Sequence, residues 1–420
     1  MKILFLLTES PYPARSGPHH HTLGVLKAAL SAHQCEAIGF YAGEQGATRW
    51  HELQAQLPTL RVLELVPEPP RLQQLVTAAR CVGQLHPLVM RRFTSPEFGR
   101  ALKARLATGG YDLIHVDQFK FAPYWPLFAD LPSLLVPYDA FSLKYHRAIP
   151  ETRTLDRKLT MRYLYHSFSG FERRYYSHFT TVCPVSCVDA DWLRRRAALS
   201  HVEALEIPVD EEYFETTATA PADDDAPHLL CVGLYGAEAV ARGTVEFLEQ
   251  AWPRIKGAVP GARLTVWGKD PAPVLRDCLT RTPEVQHLGW VDDYRATVRS
   301  ATVYLYPQAC GSGIQTKVQH AMAASLPVVA RPLSLAPLYV EPGREAFACE
   351  TPSEMAEVVV RLLRDPALRR TVGAAAHRLM RERFSVPVIA NKLSRLYQET
   401  VERHRPSHGY GAQAASSEAR

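Results

Sequence analysis

Short apolar runs bounded by turn residues alternate along the chain with longer stretches of helical spacing. "KILFLLT" (2–8) is the first such run, and a Pro-rich turn, "ESPYPARSGP", ends it. "HTLGVLKAALSAH" then places Leu23, Leu26 and Leu30 at helical spacing, and "CEAIGFYA" returns to a strand. "YDLIHVD", "SLLVPYD" and "FTTVCPVS" are further strand-length runs, the first two finishing on Asp117 and Asp139. Strands alternating with helices predict an α/β fold, a parallel sheet wrapped on both faces.

Periodicity is lost in "ALEIPVDEEYFETTATAPADDDAPHLL", and residues 216–226 read as a linker. A second alternating series follows. "HLLCVGLY", "ARLTVWG", "EVQHLGWV", "TVYLYPQ" and "LPVVARP" read as strands; "GTVEFLEQAWPRIKGA" reads as a helix with Val245, Leu248 and Trp252 on one face. "IQTKVQHAMAAS" is a further helix. Residues 352–384 read as two helices broken near Asp365–Pro366, and "VPVIANKLSRLYQETVERH" as a last amphipathic helix. The predicted divisions are 1–207, 208–385, 386–404 for the last helix, and a disordered tail at 405–420. Two doubly wound domains in tandem place a cleft between the carboxyl ends of two parallel sheets, where such sheets bind ligands.

Composition adds little against this picture. Apolar residues make up 46% and charged residues 22%, ordinary for a soluble globular protein. The eight cysteines are scattered in neither a zinc nor a redox spacing, as expected of free thiols in a reducing compartment. The apolar run at the start is too short for a signal-peptide core, and no later run spans a membrane, so a cytoplasmic protein is expected. Charge is uneven: residues 1–205 carry 24 Lys and Arg against 17 Asp and Glu, the remainder 24 against 26. Arg153, Arg157, Lys158, Arg162, Arg173 and Arg174 cluster with aromatic residues. A solvated helix face and a patch for anionic lipid at the inner membrane face, or for a phosphorylated acceptor, are both open readings. No motif accompanies them that would point to nucleic acid.

The candidate chemistry lies in "GSGIQTKVQHAMAAS" (311–325). A strand, a glycine turn and a helix start follow one another. Glycines admit close approach of a ligand to the backbone, and the first turn of a helix offers unpaired N–H groups and a partial positive charge. Together these favour an anion such as a diphosphate, with Lys317 as a point charge on the same oxygens. The alternative is an ordinary strand–turn–helix with a snorkelling lysine and a hydrogen-bonded histidine.

Nearly the whole chain resembles the retaining glycosyltransferases of the sucrose-synthase-like and glycogen-synthase-like family (glycosyltransferase family 4 type), which have the GT-B architecture. The resemblance is carried by "MKILFLLTESPYPARSGPHHHTLGVLKAAL", "PVSCVDADWL", "IPVDEEYF", "VGLYGAEAVARGTVEFLEQAWPRI", "EVQHLGWVDD" and above all "GSGIQTKVQHAMAASLPVVA". It implies two Rossmann-like domains, an acceptor-side one at 1–207 and a donor-binding one at 208–385, with the last helix crossing back. It also implies hexosyl transfer from a UDP or GDP sugar to a polysaccharide, lipid-linked or secondary-metabolite acceptor, with retained anomeric configuration. The donor is a substrate; no cofactor and no metal are called for. Lys317 and Arg242 would stabilise the leaving diphosphate, and Asp139 would belong to the catalytic set. Gly17, Gly311, Ser312, Gly313, Ile314, His320 and His287 would bind the donor.

The chain departs from the family at ligand-facing positions. His320 stands where Glu is usual, Ser312 where a first Glu is common, and Tyr138 where many members have His before Asp139. Pro18 replaces the second glycine of the front loop, and "IPVD" lacks Asn-Gly. These departures keep open a catalytically silent GT-B protein that binds a nucleotide or glycan, or partners an active enzyme. Three further features carry less. Asp189-x-Asp191 is expected to cap a helix rather than bind metal; Glu172 is expected in a salt bridge to Arg; His19–His21 are expected in a loop or on the acceptor side.

Overall fold

The computed structural model describes residues 1–404 except Arg15, Arg153, 216–226, Ala237, Pro283, 290–293 and 309–310. The linker read at 216–226 and the tail at 405–420 lie outside the described residues.

Two six-stranded sheets, parallel throughout, organise the chain. The first contains β1 (Lys2–Leu7), β2 (Gln34–Tyr41), β3 (Arg61–Pro67), β4 (Leu113–Asp117), β5 (Ser133–Tyr138) and β6 (Thr181–Pro184), ordered β3-β2-β1-β4-β5-β6. The second contains β7 (His228–Val232), β8 (Arg263–Trp267), β9 (Gln286–Leu288), β10 (Val303–Tyr306), β11 (Val328–Ala330) and β12 (Phe347–Ala348), ordered β12-β11-β10-β7-β8-β9. The second order is the first read from its other end. Each sheet therefore has a switch point, at β1/β4 and at β7/β10, where loops diverge and leave a crevice. The apolar runs fill the sheet centres: Ile3 to Leu7 and Val303 to Leu305 are fully buried, as continuous apolar strands covered on both faces must be.

Of the helices around the sheets, α1 (Gly17–Leu30), α2 (Phe141–Glu151), α3 (Leu155–Tyr175) and α4 (Cys187–Ala197) belong to the first lobe. The second carries α5 (Glu238–Glu246), α6 (Thr316–Ala323) and α7 (Pro366–Phe384); α8 (Val386–His404) follows. Val245, Leu248 and Trp252 are buried as their spacing requires, although the segment is not one α-helix: a π-turn over Phe247–Ala251 separates α5 from Trp252–Ala258. The break near Asp365 has a local cause. The Asp365 carboxylate accepts from Leu368 N at 2.9 Å and starts α7, with Pro366 in its first turn.

The chain passes between lobes at two adjacent places. Val209 N donates to Phe384 O at 2.8 Å, and Val209 bridges Ser385. Beyond that crossing α8 packs on the first lobe. Tyr397 Oη lies 2.8 Å from His115 Nδ1, Thr400 Oγ1 lies 2.8 Å from Thr181 Oγ1, and Lys392 Nζ donates to Glu206 at 2.7 Å. Seven cysteines fall among the described residues, and all are free. No helix of the described residues is long and apolar enough to cross a membrane.

Candidate active site between the lobes

The loop after β10 closes onto the first lobe. Gly311 and Gly313 have φ of 142° and 64°, conformations an L side chain rarely adopts. At Gly313 space is also lacking: a Cβ would lie 2.1 Å from Asp139 Oδ1 and 3.2 Å from Val185 Cγ2. Three consecutive residues then bond across the cleft. Arg147 Nη1 donates to Gly311 O at 3.2 Å, Ser312 Oγ to Asp139 Oδ2 at 2.8 Å, and Gly313 N to Asp189 Oδ2 at 3.1 Å. The crevice there is lined from both lobes by Arg147, Asp189, Gly311, Ser312, Gly313 and Gln315.

Asp139 and Asp189 reach this point because α2 and α4 start just behind it. Asp139 follows β5, and Tyr138 takes a φ of 68° at that bend. Asp189 is not the N-cap expected from the sequence. Ser186 caps α4, accepting from Asp189 N at 3.1 Å, and in return its hydroxyl donates to the Asp189 carboxylate. Asp189 also accepts from Ala140 N at 2.8 Å. Burial first, and then the charge of Asp139, push its carboxyl up to about 6.

The helix start behind the loop has no side-chain cap. Its N-cap residue, Gln315, is committed elsewhere: Nε2 donates to Ser312 O at 3.2 Å, and Oε1 accepts from Tyr306 Oη at 2.7 Å. Val318 N and Gln319 N are satisfied by Gln315 O. Thr316 at the head of the helix abuts the first lobe, since a Cβ built at Gly17 would sit 3.6 Å from Thr316 Cγ2. Lys317 is the next residue, half-buried, and burial lowers its ammonium to about 8. The structure thus brings Gly17, Gly311, Ser312, Gly313 and Lys317 to one place. Ile314 is buried beside them in the core.

Arg242 lies on α5, which packs close to the same strand end: a Cβ at Gly243 would come within 2.3 Å of Pro307 O. Its guanidinium donates to Glu238, and Glu238 also accepts from Arg157 of the first lobe at 2.5 Å. His320 is buried in α6. Its ring stacks on Tyr213 at 3.8 Å and meets His20 edge-on at 5.5 Å, and burial lowers its pKa to about 3. His287 sits on the edge strand β9, three strand positions from β10, exposed, with Nε2 3.0 Å from Gly268 O.

Other expectations are corrected. Glu172 does not pair with arginine; it is buried and accepts from Ser142 N at 3.0 Å and from the Ser142 hydroxyl, and burial raises its carboxyl to about 7. His19, His20 and His21 lie in α1, not in a loop, and turn to different partners: Glu9 at 3.4 Å, Asp210 at 3.7 Å and Leu205 O at 3.2 Å. Tyr138 is a buried core residue. Its hydroxyl bonds Asp117 Oδ1 at 3.1 Å, Pro18 O at 3.2 Å and the Thr22 hydroxyl, and burial holds Asp117 up near 7.

Residues 226–365 match the family described as glycosyl transferases group 1. That match falls within the second lobe and takes in all six strands of its sheet. Over 319 residues the chain is 26% identical to a phosphatidyl-myo-inositol mannosyltransferase of Mycobacterium leprae, covering 74% of this chain and 80% of the relative. Among solved structures it is similar to sucrose-phosphate synthase from Thermosynechococcus elongatus, with TM-score 0.67, 17% identity, and 95% and 99% of the two chains covered. It is also similar to the Anabaena protein HepE in complex with UDP, with TM-score 0.62, 16% identity, and 95% and 100% covered. The two-sheet architecture matches theirs and is the GT-B fold.

Arg147 and Tyr213 do not stand out in the sequence, and Asp189 there has the look of a cap. Arg147 carried one signal, a basic residue two turns into the helix behind Asp139. Nothing in the spacing announces that Tyr213 covers His320.

Proposed function

We propose that the protein transfers a hexosyl group from a UDP or GDP sugar with retention of configuration, and that the leaving diphosphate binds at Gly311–Lys317. As the glycosidic bond to the nucleotide breaks, negative charge grows on the departing oxygen and the sugar gains oxocarbenium character. Fixed amide dipoles and a cation at that oxygen stabilise the transition state more than the ground state. The observation that carries this reading is the uncapped start of α6, with Lys317 in its first turn, seated between glycines of both lobes. Arg242 would join from α5 by exchanging Glu238 for phosphate. Asp139, against Ser312, is suited to interact with the positive sugar in the transition state.

The carboxylates of Asp139 and Asp189 hold the loop against the first lobe. An incoming diphosphate would take over the Gly313 amide, so donor entry requires the lobes to part slightly at the two adjacent crossings. UDP is the first nucleotide to test, since the similar HepE structures contain UDP and UDP-glucose. A polysaccharide, lipid-linked or small-molecule acceptor would be met by the first lobe.

A second reading, a silent GT-B protein, draws support from Tyr213. Its ring covers a face of His320, the residue at the place where the resemblance puts a ribose contact. Calorimetric titration with UDP, GDP and ADP, followed by assay of UDP- and GDP-sugar turnover, separates the two. Binding with turnover supports the transferase. Binding without any turnover supports the silent protein, and absence of binding contradicts the transferase and a nucleotide-binding silent protein alike.

A further inference from the structure

The helix Arg71–Gly83 is built inside out. Its buried residues are Thr77 and Cys81, and the glutamines beside them bond to backbone, Gln74 Nε2 to Pro69 O at 2.8 Å and Gln73 Nε2 to Thr94 O at 3.5 Å. Its large apolar side chains point outward. Leu72 is 75% exposed, Leu75 68%, Val76 52% and Val82 58%, and Leu85 just beyond is 44% exposed. Single exposed leucines need no explanation, but a contiguous stripe at positions i, i+3 and i+4 does.

The charge around the stripe has one sign. From Pro69 to Pro96 the sequence has no Asp or Glu and carries Arg71, Arg80, Arg91 and Arg92. Arg92 is satisfied by Glu68, with contacts of 2.6 and 3.1 Å. Arg71, Arg80 and Arg91 are exposed. Arg174 of α3 adds a further cation at the far end. It lies 5.7 Å from the Tyr175 ring, which is 5.6 Å from the ring of His86.

We infer that the first lobe docks on an anionic bilayer through the helix Arg71–Gly83, its leucine and valine stripe entering the headgroup region and its arginines meeting lipid phosphates. A 13-residue helix lying flat, apolar on one side and fringed by arginine, has the form of an interfacial helix. Charge complementarity selects this occupant over a second copy of the chain. A two-fold contact through this face would set arginines against arginines, whereas a bilayer offers negative headgroups above apolar depth. The surface is distinct from the sugar-nucleotide site, and the inference does not depend on the proposed reaction.

Flotation of the full chain with vesicles tests it, using pure phosphatidylcholine and a mixture with about one-third phosphatidylglycerol. The wild type is expected to float with the anionic vesicles and to be released by high salt. The triple variants L72Q/L75Q/V76Q and R71Q/R80Q/R91Q are each expected to bind about tenfold more weakly. Because these side chains are exposed, their melting temperatures are expected to match the wild type, which keeps folding out of the comparison. Absence of wild-type binding, equal binding to neutral vesicles, or unimpaired binding by the leucine variant overturns the inference. So does a wild-type dimer in light scattering that L72Q/L75Q/V76Q dissociates while vesicles are not bound, since the stripe then covers a second copy.

Discussion

The Asp189 carboxylate of the first lobe accepts the amide hydrogen of Gly313 in the second at 3.1 Å. A carboxylate there occupies an amide that the proposed diphosphate would use, so the contact joins lobe closure to donor entry. Asp189→Asn replaces an anion with a neutral acceptor. We expect nucleoside diphosphate affinity to rise about threefold to tenfold, because the amide exchanges a weaker partner. Calorimetry measures this; an affinity lowered tenfold would mean that Asp189 shapes the site instead of competing for it.

Gly313→Ala adds a Cβ to a position with φ of 64° and only 2.1 Å from Asp139 Oδ1. The backbone strain alone costs about 1 kcal/mol. The clash adds to it unless the lobes separate. The expected outcome is a melting temperature a few degrees lower and loss of donor turnover, read by calorimetry and activity assay.

Lys317 titrates near 8 in the unliganded protein because burial disfavours its charge. Binding of an anion favours the protonated lysine, so nucleoside diphosphate affinity is expected to fall as pH rises above about 8. Below 8 the charge is present and affinity levels off. In Lys317→Ala this pH dependence disappears, and affinity drops about a hundredfold. A wild-type profile that is flat from pH 7 to 10 would place Lys317 away from the phosphates.

Asp117 is buried with Thr22 and Tyr138, and its carboxyl is held up near 7. The fold therefore binds that proton more tightly than the unfolded chain does. Its stabilising contribution is full below about 4 and is lost as pH rises to about 7. Asp117→Asn cannot ionise. Its stability relative to the wild type is expected to increase between pH 4 and 7 and to stay constant above. His21 and His115, lowered by burial to about 4 and 3, act in the opposite sense over part of this range, losing stability as pH falls below 6.5. Denaturant titrations of both proteins, compared as a difference, cancel that contribution.

His320→Glu restores the residue expected from the resemblance, yet the site here is an aromatic enclosure made by Tyr213 and His20. A carboxylate there loses solvation and stacking, and we expect about 1–3 kcal/mol of destabilisation. If position 320 contacts the donor ribose, a saturating nucleotide raises the melting temperature of the variant more than that of the wild type. An equal rise in both assigns His320 to packing.

Much of the architecture was legible in the apolar runs, because strands covered on both faces must be almost wholly apolar. β3 was missed since it is an edge strand whose Arg61 and Glu64 dilute the pattern, and β12 since it has only two residues. The glycine loop was legible from spacing. Its partners were not: Arg147 lies 164 residues from Gly311, and Asp189 lies 124 from Gly313. Such pairs depend on how two lobes meet, and no local periodicity encodes that. Asp189 misled for a local reason: an aspartate near a helix start reads as an N-cap, but Ser186 takes that place and the Asp189 carboxylate faces the cleft.

In the proposed reaction a diphosphate binds where α6 begins. A crystal structure of the protein with the tightest-binding nucleoside diphosphate tests it most directly. Terminal phosphate oxygens are expected within hydrogen-bond distance of the Thr316 amide and the Lys317 ammonium, with Gly313 N released from Asp189. A nucleotide seated elsewhere, with the Gly313–Asp189 bond intact, would contradict it.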